Sequence, residues 1–204
     1  MFNTKADRGL SALNQAHNFV VNGLWTLPFP AGSRSAAYVL GGWQVSGIFS
    51  AATGTPFSAT ESGQNVQDNG RPGGGGKGRR PDWIGGRSFQ SIIHHGNPNQ
   101  YFDPTAFVLA PPGFYGNLGR NTFSGPGLVN FDISFQKRTG LGFREGSQLE
   151  FRADFFNLFN RANFALPSLA VLNATNRRPI GTAGRITATV TSSRQLQFGM
   201  KLIF

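Results

Sequence analysis

Apolar and polar side chains alternate over the last ten residues. Leu196, Phe198, Met200, Leu202 and Phe204 share one parity, Gln195, Gln197, Gly199 and Lys201 the other, and Ile203 is the only breach. A period of two belongs to an extended strand, whose successive side chains point to opposite faces. The same signature returns upstream, with Val129, Phe131, Ile133 and Phe135 against Asn130, Asp132, Ser134 and Gln136, closing at Lys137. It appears again with Leu149, Phe151, Ala153 and Phe155 against Gln148, Glu150, Arg152 and Asp154. Two weaker versions lie nearer the start. From Asn18 to Leu27 the residues Phe19, Val21, Trp25 and Leu27 share a parity, although Val20 and Leu24 intrude on the other. From about Tyr38 to Ala52, Trp43, Val45, Gly47, Phe49 and Ala51 oppose Gln44, Ser46 and Ser50, with a bend or bulge expected at Gly41 and Gly42. The pattern predicts five strands, each with one apolar face.

The connections carry as much information as the strands. "PFPAGSRS" reads as a short turn, and the glycines at Gly140, Gly142 and Gly146 mark another. Pro56 in "TGTPF" ends the second strand, and Thr60 to Gly127 is then a long run of Gly, Pro, Asn, Ser and Arg. A second irregular stretch runs from about Asn157 to Thr191. Short and long connections therefore alternate. Soluble domains seldom hold connections of that length, whereas outer-membrane barrels carry short periplasmic turns and long extracellular loops. The expected fold class is all-β: an antiparallel up-and-down transmembrane β-barrel segment, about five strands of a larger barrel, with long extracellular loops. The apolar row then faces lipid, and Asp132, Glu150, Arg152 and Asp154 face the lumen. A turn centred near Gly142 would place Asp132 opposite Arg152 and Ser134 opposite Glu150. Phe204 falls at the periplasmic end of the last strand, and "YFDPTAF", from Tyr101 to Phe107, predicts a long loop that packs on itself.

Composition agrees with this picture. Among 204 residues, 14% are charged while 28 are Gly and 20 are Phe, which suits lipid-facing strands joined by glycine-rich turns. No apolar run approaches the ~18 residues of a transmembrane helix. The absence of Cys removes disulfides, thiolate metal sites and cysteine nucleophiles together. The net charge of +10 raises nucleic acid as a partner, but the cations are dispersed. Arg71, Lys77, Arg79, Arg80 and Arg87 fall in one glycine-rich loop and Arg177, Arg178 and Arg185 in another, with no basic helix or aromatic platform beside them. No nucleic acid is expected; in an extracellular loop Arg71, Lys77, Arg79 and Arg80 would pair with lipopolysaccharide phosphates or an anionic ligand. His94 and His95 are neighbours that point apart on extended chain, so with Asp103 they do not make a metal site. Neither a "GxSxG" nor an "HExxH" string occurs, and neither enzymatic activity nor a cofactor is expected. Trp25, Trp43, Phe29 and Phe57 fall where an interfacial aromatic girdle would lie.

Several strings, in order, add a family resemblance: "LGGWQVSGIFSAATGTPF", "FDPTAF", "GNLGRNTFSGPG", "FDISFQKRTGL", "LEFRADFFNLFNRANFALP" and "RQLQFGMKLIF". Together they resemble the C-terminal end of TonB-dependent outer-membrane receptors, in particular the Oar-like group, from about His17 to Phe204. The resemblance implies a barrel of about 22 strands around a plug, with uptake of an unidentified ligand driven by the energy-transducing TonB complex of the inner membrane. It also implies that the terminal strand, through Phe198, Leu202 and Phe204, is read by the barrel-assembly machinery. Residues 1–204 contain no plug domain, no energy-coupling box and no signal peptide, so the expectation is the C-terminal barrel part of a longer receptor in the cell outer membrane, in contact with outer-membrane lipid and lipopolysaccharide. The competing expectation is a secreted or surface β-sandwich that binds carbohydrate or mediates adhesion, with its Phe faces buried between two sheets.

Overall fold

The computed structural model describes residues 8–29, 34–62, 79–111, 114 and 116–204. They form two compact units. One is a sheet unit, 18–52, 128–163 and 191–204, and the other a loop unit, 1–17, 53–127 and 164–190.

The sheet unit contains the five expected strands: β1 (Asn18–Thr26), β2 (Trp43–Ala52), β3 (Leu128–Gly140), β4 (Gln148–Phe156) and β5 (Gln195–Ile203). Each is antiparallel to its sequence neighbour, in the spatial order β1-β2-β3-β4-β5. Their lengths, 9 to 13 residues, meet the roughly 9–11 that a tilted strand needs to cross a bilayer. The register turns alternation into rows. Trp25, Val45, Phe135, Ala153 and Phe198 form one apolar row across all five strands, while Thr26, Gln44, Gln136, Arg152 and Gly199 form a polar row on the other face. Ring contacts knit the apolar face, with Phe155 6.5 Å from Phe198 and 5.9 Å from Phe135. That face is uncovered, Phe198 being 64% and Met200 73% exposed. No helix among the described residues is long and apolar enough to cross a membrane, which says nothing against crossing by strands.

Two local expectations are corrected. The connection before β2 holds a short helix, α1 (Arg34–Leu40), so the strand begins at Trp43 and not near Tyr38. Gly41 and Gly42 close that helix instead of bending a strand: the Gly41 N–H donates to the Ala37 carbonyl at 2.9 Å, and Gly42 has φ +74. The hairpin register also differs. Ser134 faces Asp154, Gln136 faces Arg152 and Arg138 faces Glu150, because β3 continues to Gly140 and the turn occupies 141–147. Gly142 (φ +69) and Gly146 (φ +84) take the left-handed conformations of that turn, and the Ser147 hydroxyl donates to the Arg144 carbonyl at 2.7 Å. The slip is even, so every side chain keeps its face.

The loop unit has a core of its own, as the "YFDPTAF" cluster predicted. Phe57, Phe102, Phe107 and Phe123 form a closed circuit of rings with centroids 5.5 to 6.1 Å apart, packed with Ile92, Leu118 and Val171. Phe57 is therefore a core residue and not part of an aromatic girdle. Short ladders frame the core: Thr60–Ser62 pairs parallel with Ala170–Asn173, and Pro56–Phe57 pairs with Phe123–Ser124. Gly184, at φ +75, lies where a Cβ would stand 2.7 Å from the Phe102 carbonyl, so a side chain there would break the close approach.

Candidate solute-facing surface and loop unit

On the polar face of the sheet, charged and amide groups satisfy one another along and across strands. Glu150 is central: its Oε1 accepts from Gln136 Nε2 at 2.6 Å, its Oε2 lies 3.3 Å from Arg138 Nε, and Lys201 stands opposite it on β5. Arg152 donates from Nε to Asp154 Oδ1 at 2.9 Å, and the Ser134 hydroxyl also bonds Asp154. Asp132 accepts from the Asn130 side chain at 2.9 Å and from the Asn157 N–H at 2.8 Å. Asp132, Glu150, Arg152 and Asp154 thus share one face, but not as the single ladder that the earlier turn centre implied. Each carboxylate has a donor beside it, and the Arg138 and Arg152 side chains remain more than half exposed.

Three asparagines that the strand pattern did not flag tie the far end of this face. Asn157, Asn160 and Asn163, spaced three apart after β4, meet the chain entering β5. Asn157 Nδ2 donates to the Arg161 and Ser192 carbonyls at 3.0 and 2.9 Å, while its Oδ1 accepts from the Arg161 N–H at 2.9 Å. Asn160 Oδ1 accepts from the Arg194 N–H at 2.9 Å. Buried Asn163 accepts from the Val129 N–H at 2.9 Å and donates to Thr191 Oγ1 at 3.0 Å. Asn157 and Asn160 both have φ +50, a region asparagine tolerates better than other side chains. The spacing in "NLFNRAN" was a visible signal for this clamp.

Within the loop unit Arg79, Arg80 and Arg87 have partners. Glu61 is buried; burial pushes its carboxyl above the ordinary range, against the opposing pull of the Ala110 N–H and of Arg79, whose Nε lies 3.7 Å away. Arg79 also donates to the Phe114 carbonyl at 2.9 Å, and Arg80 Nε donates to the Leu118 carbonyl at 2.8 Å. This corrects the picture of Arg79 and Arg80 as free surface cations, since both hold the loop together. Arg71 and Lys77 lie outside the described residues. Asp103 caps the turn Pro104–Ala106 by accepting from the Thr105 N–H, and Arg87 reaches it at 2.7 Å. Burial would raise this carboxyl, but the bonds from Thr105 and Arg87 outweigh it and hold it down at about 2. His94 Nδ1 lies 3.2 Å from the Gln100 carbonyl and His95 packs edge-on against Tyr101, so the two rings serve different neighbours. No group of three or more metal-ligating side chains occurs among the described residues.

At the other end of the sheet, Phe198 and Leu202 lie on the apolar face, and Phe204 follows the last strand residue, 79% exposed. A sheet with one such face and a polar opposite face suits a wall between lipid and water. A family model described as "Outer membrane beta barrel domain" matches residues 1–197. The chain belongs to this family. No curated protein and no solved structure matches it. As an outer-membrane β-barrel protein it is located in the outer membrane, and its sheet carries exposed rows of Phe and Met side chains. The barrel match also sets aside the β-sandwich reading, in which those rows would be buried between sheets.

Proposed function

We propose that this barrel domain is the C-terminal wall of a TonB-dependent receptor of the Oar-like kind, which takes up a solute through its lumen and recognises it with extracellular loops. The observation that carries the reading is the pairing of an up-and-down barrel sheet with long connections that fold around a core of their own. A simple pore needs no such built loop unit, whereas a receptor needs rigid loops to present a recognition surface. The polar face, with Asp132, Glu150, Arg152 and Asp154, lines the solute side, and the domain acts by binding and passage without catalysis or cofactor. Assembly runs through the barrel-assembly machinery, with Phe204 as part of its signal. Energy comes from the TonB complex by way of the rest of the receptor. Lipopolysaccharide borders the outer leaflet, and nucleic acid is not a partner.

The test is in-cell cross-linking of the full-length protein to the energy-transducing inner-membrane protein, together with fractionation. A cross-link from outer-membrane protein is expected. Correct outer-membrane insertion without one would reject the receptor reading and leave the barrel intact. Deleting Phe204 should lower the amount inserted; unchanged insertion would remove the terminal residue from the assembly signal.

A further inference from the structure

Helix α1 is short, uncharged beyond its first residue and almost entirely uncovered. Ala37, Tyr38, Val39 and Leu40 are all exposed, Val39 to 66%. An isolated seven-residue helix is too short to persist in water, and one without a polar face is normally covered by something apolar. Its C-terminal end carries a second peculiarity. Helix ends leave carbonyls without internal partners, which water ordinarily satisfies. Here Lys137 Nζ donates to the carbonyls of Tyr38, Val39 and Gly41 at 2.7, 2.8 and 2.9 Å, and Trp43 Nε1 donates to the Val39 carbonyl at 3.2 Å.

Lys137 is itself out of place by pattern. It sits on the apolar face, in the row Trp43, Lys137, Phe151 and Met200, with its ammonium 5.3 Å from the centre of the Trp43 ring. A lysine in a lipid-facing row is costly unless its charge finds partners near the membrane edge. The carbonyls at the end of α1 supply them, so each feature answers the other's need: the Tyr38, Val39 and Gly41 carbonyls gain a donor, and the ammonium gains three acceptors within the row.

We propose that α1 is a membrane-interface anchor, lying among the headgroups and first acyl carbons of the periplasmic leaflet, with Lys137 and Trp43 fixing it to the rim of the sheet. The occupant of its apolar surface is phospholipid, because that surface continues the lipid-facing row through Trp43. An open groove of about 320 Å3 beside it is lined by Ala37, Tyr38, Gly42 and Thr139 and bordered by Arg138, which leaves room for a headgroup next to the exposed helix. This proposal rests on the barrel reading and deepens it by giving one short turn a lipid-binding role.

These 204 residues contain no cysteine, so each label adds the single thiol of this segment, any cysteine elsewhere in the protein being replaced by Ser. Nitroxides at Val39→Cys, Phe198→Cys and Leu13→Cys, in the full-length protein assembled into phosphatidylethanolamine and phosphatidylglycerol bilayers, would be compared for collision with oxygen and with a water-soluble nickel chelate. Val39 should favour oxygen over nickel, between lipid-facing Phe198 and exposed Leu13. Nickel access at Val39 equal to that at Leu13, with Phe198 still protected, would overturn the anchor alone; nickel access at Phe198 would overturn the barrel reading. Adding Lys137→Met should raise nickel access at Val39 severalfold and leave Phe198 unchanged, and no rise would remove Lys137 from the anchor. If that variant does not assemble, brominated lipids offer a second readout. In a variant that keeps Trp43 as its single tryptophan, bromines near the acyl carbonyl should quench it more than bromines near the chain end, and equal or absent quenching would count against the proposal.

Discussion

Replacing Asn157 by Ala removes more stability than any exposed substitution in the sheet should. The side chain makes three hydrogen bonds, to the Arg161 N–H, the Arg161 carbonyl and the Ser192 carbonyl, and the residue is 5% exposed. At about 1 kcal/mol each, with more for partners left unsatisfied, these bonds account for about 3 kcal/mol. The backbone at φ +50 adds a further ~1 kcal/mol for Ala, which lacks the local hydrogen bonding that reconciles Asn to that region. The expected loss is therefore about 4 kcal/mol. Asn157→Gly separates the two contributions, because Gly accepts the backbone but makes none of the bonds, and it should cost about 1 kcal/mol less than Ala. The assay is equilibrium urea unfolding of the full-length protein in lipid bilayers, followed by tryptophan fluorescence, with heat-dependent gel mobility as the check on folding. The Asn157 N–H that bonds Asp132 persists in both variants, so the comparison isolates the side chain. A loss below about 1 kcal/mol for Ala would refute the clamp, since even one lost buried bond should cost that much.

Three further outcomes follow from the loop unit. Tyr101, 2% exposed with its hydroxyl donating to the Ser124 carbonyl at 3.1 Å, has its phenol pushed up by burial to about 12. Its folded value lies above the unfolded 10.0, so the contribution is complete below pH 10 and lost as pH rises through 12; it is on the order of 2–3 kcal/mol, and Tyr101→Phe should abolish that alkaline loss in pH-dependent unfolding. Asp103 shows the opposite sign: held at about 2 against an unfolded 3.8, it contributes above pH 3.8 and loses that contribution as pH falls through 2, so Asp103→Asn should flatten acid unfolding in that window. Phe102→Ala opens the four-ring circuit and should cost the loop unit about 3–5 kcal/mol, seen as faster proteolysis of residues 53–127 while the sheet keeps its gel mobility; unchanged proteolysis would deny the ring core its role.

Much of the sheet was legible because its physics is local. A strand in a barrel wall must put lipid and water on alternate residues, and that requirement is written at every second position from Val129 to Phe135 and from Leu196 to Phe204. Long-range facts were legible only where a local rule carried them. Alternating connection lengths yielded the up-and-down order, but the turn centre near Gly142 missed the true register, because two more glycines allowed the strand to run on to Gly140. Helix α1 was hidden in the same way: "SAAYVL" has no amphipathic period, and what holds it is Lys137, about a hundred residues away in the chain.

The sequence by itself determined the sidedness of the five strands, their neighbour order and the outer-membrane class, since each depends on period, turn residues and connection length. Only the tertiary structure decided which cations are free. Arg79 and Arg80 look like surface charge in a glycine-rich loop, yet a buried Glu61 and two carbonyls engage them. Only the tertiary structure, too, gathered Phe57, Phe102, Phe107 and Phe123 into one core and moved Phe57 out of the membrane girdle. Alternation is enforced residue by residue along a strand, whereas a loop core depends on contacts between residues far apart in sequence, and a single sequence carries no period for those.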